Sequence, residues 1–105
     1  MKQSLTQRGF ALIEFTDRYD ALCNIQKSSL ATEDAIWFGV ADANPMIMAS
    51  QAAAHSVVTS ETCGWVPYPV PNEVSMTTRM HLTREQVAEL LPVLQHFADT
   101  GELPQ

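Results

Sequence analysis

Hydrophobic and polar residues alternate along several stretches of the chain, and this spacing predicts β-strands. Residues 10–15 form a short apolar run and residues 21–26 alternate, so the two stretches predict a β-hairpin across the polar turn between them. Residues 35–40 are apolar throughout and predict a central strand that is buried on both faces. A short strand is predicted at 46–48. Residues 75–82 alternate cleanly and predict an antiparallel strand with one side in water.

The hydrophobic spacing changes to a helical period after residue 82, and it predicts a helix that ends at Thr100. Thr83 and Gln86 have the spacing of a capping box, and Gly101 suits a left-handed C-cap. Pro92 lies well inside, so we expect either a bend or a break into two shorter helices. One stripe of the helix collects its apolar residues: Val87, Leu90, Leu91, Leu94, Phe97 and Ala98.

Together these elements predict a small α+β fold. We expect an antiparallel sheet of about four to five strands, packed against one C-terminal amphipathic helix. The 105 residues suit a single domain over 1–105. Residues 1–8 are polar and are expected to fray. Residues 49–74 mix helix-favouring and strand-favouring residues and carry three closely spaced prolines, so an irregular loop region is predicted there.

The charge of the chain limits the classes of partner that we expect it to bind. It has 6 basic and 12 acidic residues, a formal net charge of −6. An acidic surface repels phosphate groups, so direct binding to nucleic acid or to an anionic membrane is not expected. There is no apolar run of membrane-spanning length, and we expect a cytoplasmic protein. Cys23 and Cys63 are then expected as free thiols, although a disulfide between them stays open at this point.

The known catalytic and metal-binding motifs are missing from the sequence. His55, His81 and His96 lie far apart, and none has zinc-ligand spacing with a cysteine. No phosphate-binding loop and no nucleophile elbow occurs. We therefore expect no cofactor, no metal and no catalytic residues. A small hydrolase that pairs a cysteine or a carboxylate with a histidine is the least favoured alternative.

Two groups of residues are candidates for contact with a protein partner. Trp65 and Tyr68 lie in the proline-rich segment, where they would either anchor an interface or cover the edge of the core. Glu33, Asp34 and Asp42 flank the predicted central strand. This acidic surface would either imitate phosphate spacing for a basic partner or be ordinary surface charge.

A third group predicts a small pocket for an anion or a nucleotide. Arg79 and His81 share the wet side of the predicted strand 75–82. If the strands adjoin, Ser28 and Ser29 come close to them, and Trp37 or Trp65 would stack on a ligand. The alternative is a plain polar sheet surface.

The chain resembles small proteins encoded by bacteriophages and prophages. The resemblance covers roughly residues 22–40 and 75–103, and it rests on QKSS at 26–29, DAIW at 34–37 with Gly39, MHLTREQV at 80–87 and LLP at 90–92. It implies an accessory gene product in a bacterial host. It carries over no functional residue, because we know no catalytic motif for the group.

The preferred hypothesis is a non-catalytic phage-type accessory protein that binds a host protein and inhibits a host defence system. The alternative hypothesis is a small-molecule or nucleotide-signal binding protein, a sponge, with its pocket near Arg79, Ser28 and Ser29. A short sheet with an exposed edge also predicts a homodimer.

Overall fold

The computed structural model describes all 105 residues, Met1 to Gln105. The elements, in chain order, are strands β1 (Lys2–Leu5), β2 (Ala11–Thr16), β3 (Leu22–Lys27), β4 (Ala35–Val40) and β5 (Met46–Met48), the one-turn helix α1 (Ala49–Ala52), a 3₁₀ turn (Ala53–His55), strands β6 (Trp65–Pro67) and β7 (Arg79–Thr83), and helix α2 (Arg84–Thr100). They form two compact units. The sheet unit comprises residues 1–41 and 78–105, and the ribbon unit comprises residues 42–77. None of the helices is long and apolar enough to cross a bilayer.

The sheet unit contains a five-stranded antiparallel sheet in the order β1-β2-β3-β4-β7. The predicted fold class, an antiparallel sheet with a C-terminal helix, is confirmed. The predicted hairpin is β2–β3, and its turn is held by Asp17, whose carboxylate accepts hydrogen bonds from the backbone N–H of Tyr19 and Ala21 at 2.8 and 3.0 Å. The strand predicted at 75–82 is shorter, because pairing with β4 begins only at Arg79.

Alternation along the strands gives this sheet two different faces. The polar face carries the side chains of Leu12, Glu14, Asn24, Gln26, Trp37, Arg79 and His81. The apolar face carries Ile13, Phe15, Cys23, Ile25, Ile36, Phe38, Val40, Met80 and Leu82. The sheet unit has little fully buried surface, since only Cys23 and Ala35 among its hydrophobic residues are buried. The central strand β4 is thus half-buried over most of its length, rather than buried on both faces.

The N-terminus is ordered by backbone pairing. The polarity of residues 1–8 predicts fraying, but Lys2–Leu5 forms β1 and pairs along its whole length with β2. The turn between them is closed by Thr6, whose hydroxyl accepts a hydrogen bond from the Phe10 N–H at 3.0 Å, and Gly9 takes the left-handed φ of 84°. A polar strand can form the edge of the sheet because the backbone hydrogen bonds of the ladder do not depend on side-chain polarity.

Helix α2 follows β7 directly. The predicted capping box is present: the Thr83 hydroxyl accepts from the Gln86 N–H at 3.2 Å, and the Gln86 side-chain oxygen accepts from the Thr83 N–H at 2.9 Å. Gly101 ends the helix at a φ of 77° and donates its N–H to the Phe97 carbonyl. The helix runs continuously through Pro92, so it is not split into two.

The ribbon unit is organised around a small apolar cluster. Strands β5 and β6 pair antiparallel, and Ala52, Val57 and Val66 form the buried cluster on which Ile47 and Ala49 pack. The irregular region predicted at 49–74 therefore contains short regular elements, namely α1, the 3₁₀ turn and β6. Sequence patterns missed them because each is only three or four residues long.

Candidate functional site

The polar face of the sheet is organised by Arg79, which reaches across β4 to β3. One of its guanidinium nitrogens, Nη1, donates to Asn24 Oδ1 at 3.1 Å and to Gln26 Oε1 at 2.8 Å. The arginine passes over Gly39, which is its direct partner in the strand register. A Cβ atom at Gly39 would lie 2.6 Å from the Thr78 carbonyl oxygen and 2.9 Å from the Arg79 Cα. Glycine is therefore the residue that permits this close approach of β7.

Trp37 is fixed between its neighbours on the same face. It is the register partner of His81, and the two rings stack with centroids 3.9 Å apart and an interplanar angle of 6°. The Arg79 guanidinium carbon lies 5.6 Å from the centre of the Trp37 ring, within the range of a cation–π contact. His81 Nε2 shares a hydrogen bond of 2.9 Å with the hydroxyl of Ser28, which is buried. These contacts fix the position of the indole ring on the polar face of the sheet.

We refer to Asn24, Gln26, Ser28, Trp37, Arg79 and His81 as the Arg79 cluster. The structure thus brings together four of the residues that the sequence predicts for a pocket, because β3, β4 and β7 are adjacent strands. Sequence reasoning missed Asn24 and Gln26. Their signal was available, since both lie at alternate positions of a strand and point to its polar side.

A concave site adjoins this cluster at Trp37. This hairpin pocket has a volume of about 360 Å³ and is lined by Thr6, Gln7, Arg8, Phe10, Gln26, Ser29 and Trp37. Its size falls within the ordinary range for small-molecule sites, about 300–1,000 Å³. The Arg8 guanidinium carbon lies 5.5 Å from the centre of the Phe10 ring. The predicted Ser29 lies here, and Trp37 and Gln26 belong to both the pocket and the Arg79 cluster.

The two arginines of this region carry positive charge without an acidic partner. The ion pairs of the chain both involve Asp34, which lies 3.2 Å from Lys27 Nζ and 4.0 Å from an Arg84 nitrogen. Arg79 is bonded only to neutral amide oxygens, and Arg8 contacts an aromatic ring. Neither guanidinium has a carboxylate oxygen within 4.0 Å, although Glu14 lies on the same face of the sheet beside Asn24. Both arginines can therefore form a direct ion pair with an anionic ligand.

The three predicted acidic residues belong to different units. Glu33 and Asp34 precede β4 in the sheet unit, and Asp42 follows β4 as the first residue of the ribbon unit. Asp34 is engaged by Lys27 and Arg84, so part of its charge is balanced within the chain. The acidic surface for a basic partner stays a prediction.

Trp65 and Tyr68 lie on the ribbon unit, and both are exposed. Trp65 is 65% exposed, so the large ring does not cover the edge of a core. The neighbouring groove of about 470 Å³ is lined by Ser56, Val57, Val58, Thr59, Val66, Pro67 and Pro69. This apolar groove next to exposed aromatic rings has the character of a surface for a protein partner.

Both cysteines are free thiols. Cys23 is buried on the apolar face of the sheet, and Cys63 is exposed in the loop before β6. The disulfide that the sequence left open is absent. No group of three or more histidine, cysteine, aspartate or glutamate side chains lies close enough together to hold a metal ion.

Comparison with known proteins does not assign the chain to a family. No protein-family model, no curated protein and no solved structure matches the chain. The resemblance to phage-encoded proteins therefore stays a prediction, and the geometry of the two units carries the functional argument.

Proposed function

We propose that the protein is a non-catalytic binding protein whose polar sheet face takes a small anionic ligand with a planar ring, such as a nucleotide. The observation that carries this proposal is the position of Trp37. Its ring is held by His81 and Arg79 on one side, and it forms a wall of the hairpin pocket on the other. An immobilised indole beside two arginines that form no ion pair in the chain provides a stacking surface and an anion site together.

Five residues of the pocket, together with Arg79, have distinct roles in this proposal. Arg8 pairs with the anionic group of the ligand, since it has no acidic partner in the chain. Trp37 and Phe10 contact the ring, and Gln26 and Ser29 offer hydrogen bonds at its edge. Arg79 acts through Trp37, which it helps to orient.

A ligand screen with Trp37 as the reporter tests the proposal. In a Trp65→Phe background Trp37 is the only tryptophan, because the chain has two. Mononucleotides and cyclic dinucleotides are titrated while fluorescence and melting temperature are followed at fixed protein concentration. A ligand at 100 times its dissociation constant should add about 2.7 kcal/mol of stability.

Matched arginine variants localise the effect. Arg8→Met removes the charge and keeps the aliphatic stem, and we expect it to weaken binding about tenfold or more, the equivalent of about 1.4 kcal/mol. Arg18→Met in the exposed turn between β2 and β3 is the control and should leave binding unchanged. If no compound of the panel quenches Trp37 or raises the melting temperature, the nucleotide proposal is wrong.

The ribbon unit favours a second candidate function, the binding and inhibition of a host protein. Its support is the exposure of Trp65 and Tyr68 beside an apolar groove, since tryptophan and tyrosine are typical anchors of protein interfaces. A host defence complex is the target that the phage resemblance implies. The acidic charge of the chain suits a partner with a basic surface.

Affinity capture from a bacterial lysate tests this candidate. A specific partner should be retained by the wild type, be lost with Trp65→Ala or Tyr68→Ala, and be kept by Tyr19→Ala. Tyr19 is a suitable control because it is an exposed aromatic residue in the sheet unit. A partner that all three variants retain equally would show that the aromatic side chains of the ribbon unit are not its docking site.

A further inference from the structure

Helix α2 exposes its apolar stripe instead of burying it. Leu91, Leu94 and Phe97 are 59%, 53% and 54% exposed, and no residue of the helix is buried. Only its first turns meet the sheet, where Val87 and Leu91 line an open groove of about 400 Å³ with Ile36 and Leu82. A stripe of this kind normally stabilises a helix by packing on a core.

The apolar face of the sheet is open in the same way. Phe15 and Phe38 contact each other edge to face at 6.1 Å, yet they and their apolar neighbours on β2, β3 and β4 are only half-buried, apart from Cys23. Met80 on β7 is exposed. The sheet unit therefore presents two uncovered apolar surfaces, one on its sheet and one on its helix.

The connection between β7 and α2 explains why the helix does not cover its own sheet. The strand ends at Thr83 and the helix starts at Arg84, so no residue lies between them. Helices that fold back over the sheet they leave are usually connected to it by about two to six residues. The capping box fixes Thr83 in an extended conformation, and the helix accordingly leaves from the end of the strand.

The exposed area of the chain supports the same conclusion. The chain exposes 8570 Å², whereas two separate compact bodies with the sizes of the two units would expose about 7,000 Å². The surplus is about 1,600 Å² per chain, or about 3,200 Å² in a pair of chains. Obligate homodimers bury about 2,000–5,000 Å² or more.

We infer that a second copy of this chain covers these surfaces, and that the α2 stripe of each copy packs on the apolar sheet face of the other. A two-fold symmetric dimer of this kind buries both apolar surfaces of each copy, because each copy supplies one helix and one sheet face. The polar face of each sheet lies on the opposite side of the strands. The Arg79 cluster and the hairpin pocket therefore remain open in both copies.

Mass and thermal stability of the unmodified protein test the inference first. Light scattering after size exclusion should give twice 11.6 kDa at micromolar concentration. The melting temperature should rise with protein concentration, because folding and association are linked in an obligate dimer. A mass of 11.6 kDa together with a melting temperature that does not change over a hundredfold concentration range would overturn the inference.

Variants on the two sides of helix α2 localise the interface. Leu94→Glu should abolish the dimer, and the chain should then be monomeric or unfolded. Gln95→Glu adds the same charge at an adjacent position off the stripe and should leave the dimer intact. A dimer that persists with Leu94→Glu, or one that Gln95→Glu abolishes equally, would contradict the assignment of the stripe.

Mixing two variants tests whether the packing is reciprocal. Met80→Lys places a charge on the apolar sheet face and should also prevent self-association. In a mixture of Leu94→Glu and Met80→Lys chains, one interface of the mixed dimer carries both substitutions and the other carries neither. We therefore expect the mixture, refolded together, to form a heterodimer that neither variant forms as a homodimer. A mixture that stays dissociated would refute helix-on-partner-sheet packing.

Discussion

Gly39 is the position at which a single methyl group should disturb both the sheet and the Arg79 cluster. A Cβ atom there would lie 2.6 Å from the Thr78 carbonyl oxygen and 2.9 Å from the Arg79 Cα. Ordinary carbon contacts are about 3.5–4.0 Å, so β4 and β7 must separate by roughly half an ångström or more. Both clashing atoms belong to the backbone, and no side-chain rotation relieves them.

The expected loss for Gly39→Ala is about 1–3 kcal/mol, the usual range for forced overpacking. For a domain of this size, each kcal/mol lowers the melting temperature by about 4 °C or more. Chemical denaturation followed by circular dichroism measures the free energy of unfolding, and all proteins are compared at one concentration. Because the arginine passes over this residue, the fluorescence of Trp37 should change as well in the Trp65→Phe background.

Gly64→Ala provides the matched control. Gly64 lies in the ribbon unit, has a left-handed φ of 79°, and has nothing within 4 Å of its Cβ position. That substitution therefore measures conformational strain alone, about 1–2 kcal/mol, and should leave Trp37 fluorescence unchanged. If Gly39→Ala unfolds at the wild-type denaturant concentration with unchanged Trp37 fluorescence, the close approach of β7 to β4 is refuted.

Three further predictions concern the helix and the thiols. Thr83→Ala should lower the free energy of unfolding by about 1 kcal/mol. In a double-mutant cycle measured by chemical denaturation, Thr83→Ala with Gln86→Ala should lose less free energy than the sum of the two single variants. Pro92→Ala should stabilise by about 1–3 kcal/mol in the same assay, since it restores a helical donor, and an unchanged value would contradict this. A thiol reagent should modify Cys63 at once and Cys23 only on unfolding, and equal rates would refute the described burial.

The elements with strong local signals could be predicted from the sequence. Helix α2 begins after the N-cap Thr83 and ends at the C-cap Gly101. Both ends are predicted by residues that are close in the sequence. The hairpin β2–β3 is defined by two short runs and the turn around Asp17. The elements α1 and β6 were not predicted, because three or four residues carry too little periodicity.

The candidate site could be predicted only in part. Alternation placed Arg79 and His81 on one side of a strand, but nothing in the sequence gave the strand order that puts β7 beside β4. The hairpin pocket depends on strand β1, whose polar residues predicted no structure. Long-range pairing of this kind is selected by the whole sheet, and no local pattern encodes it.

The sequence by itself determined which residues form the apolar side of each strand and of the helix, and where the helix begins and ends. Only the tertiary structure decided what the apolar sides face. The stripe of α2 predicts packing on a sheet, and periodicity cannot say whether that sheet belongs to the same chain. The direct connection at Thr83 limits contact with its own sheet to the first turns. The physical reason is that burial satisfies an apolar surface equally well within a chain or between two copies, and the geometry of the connection selects between them.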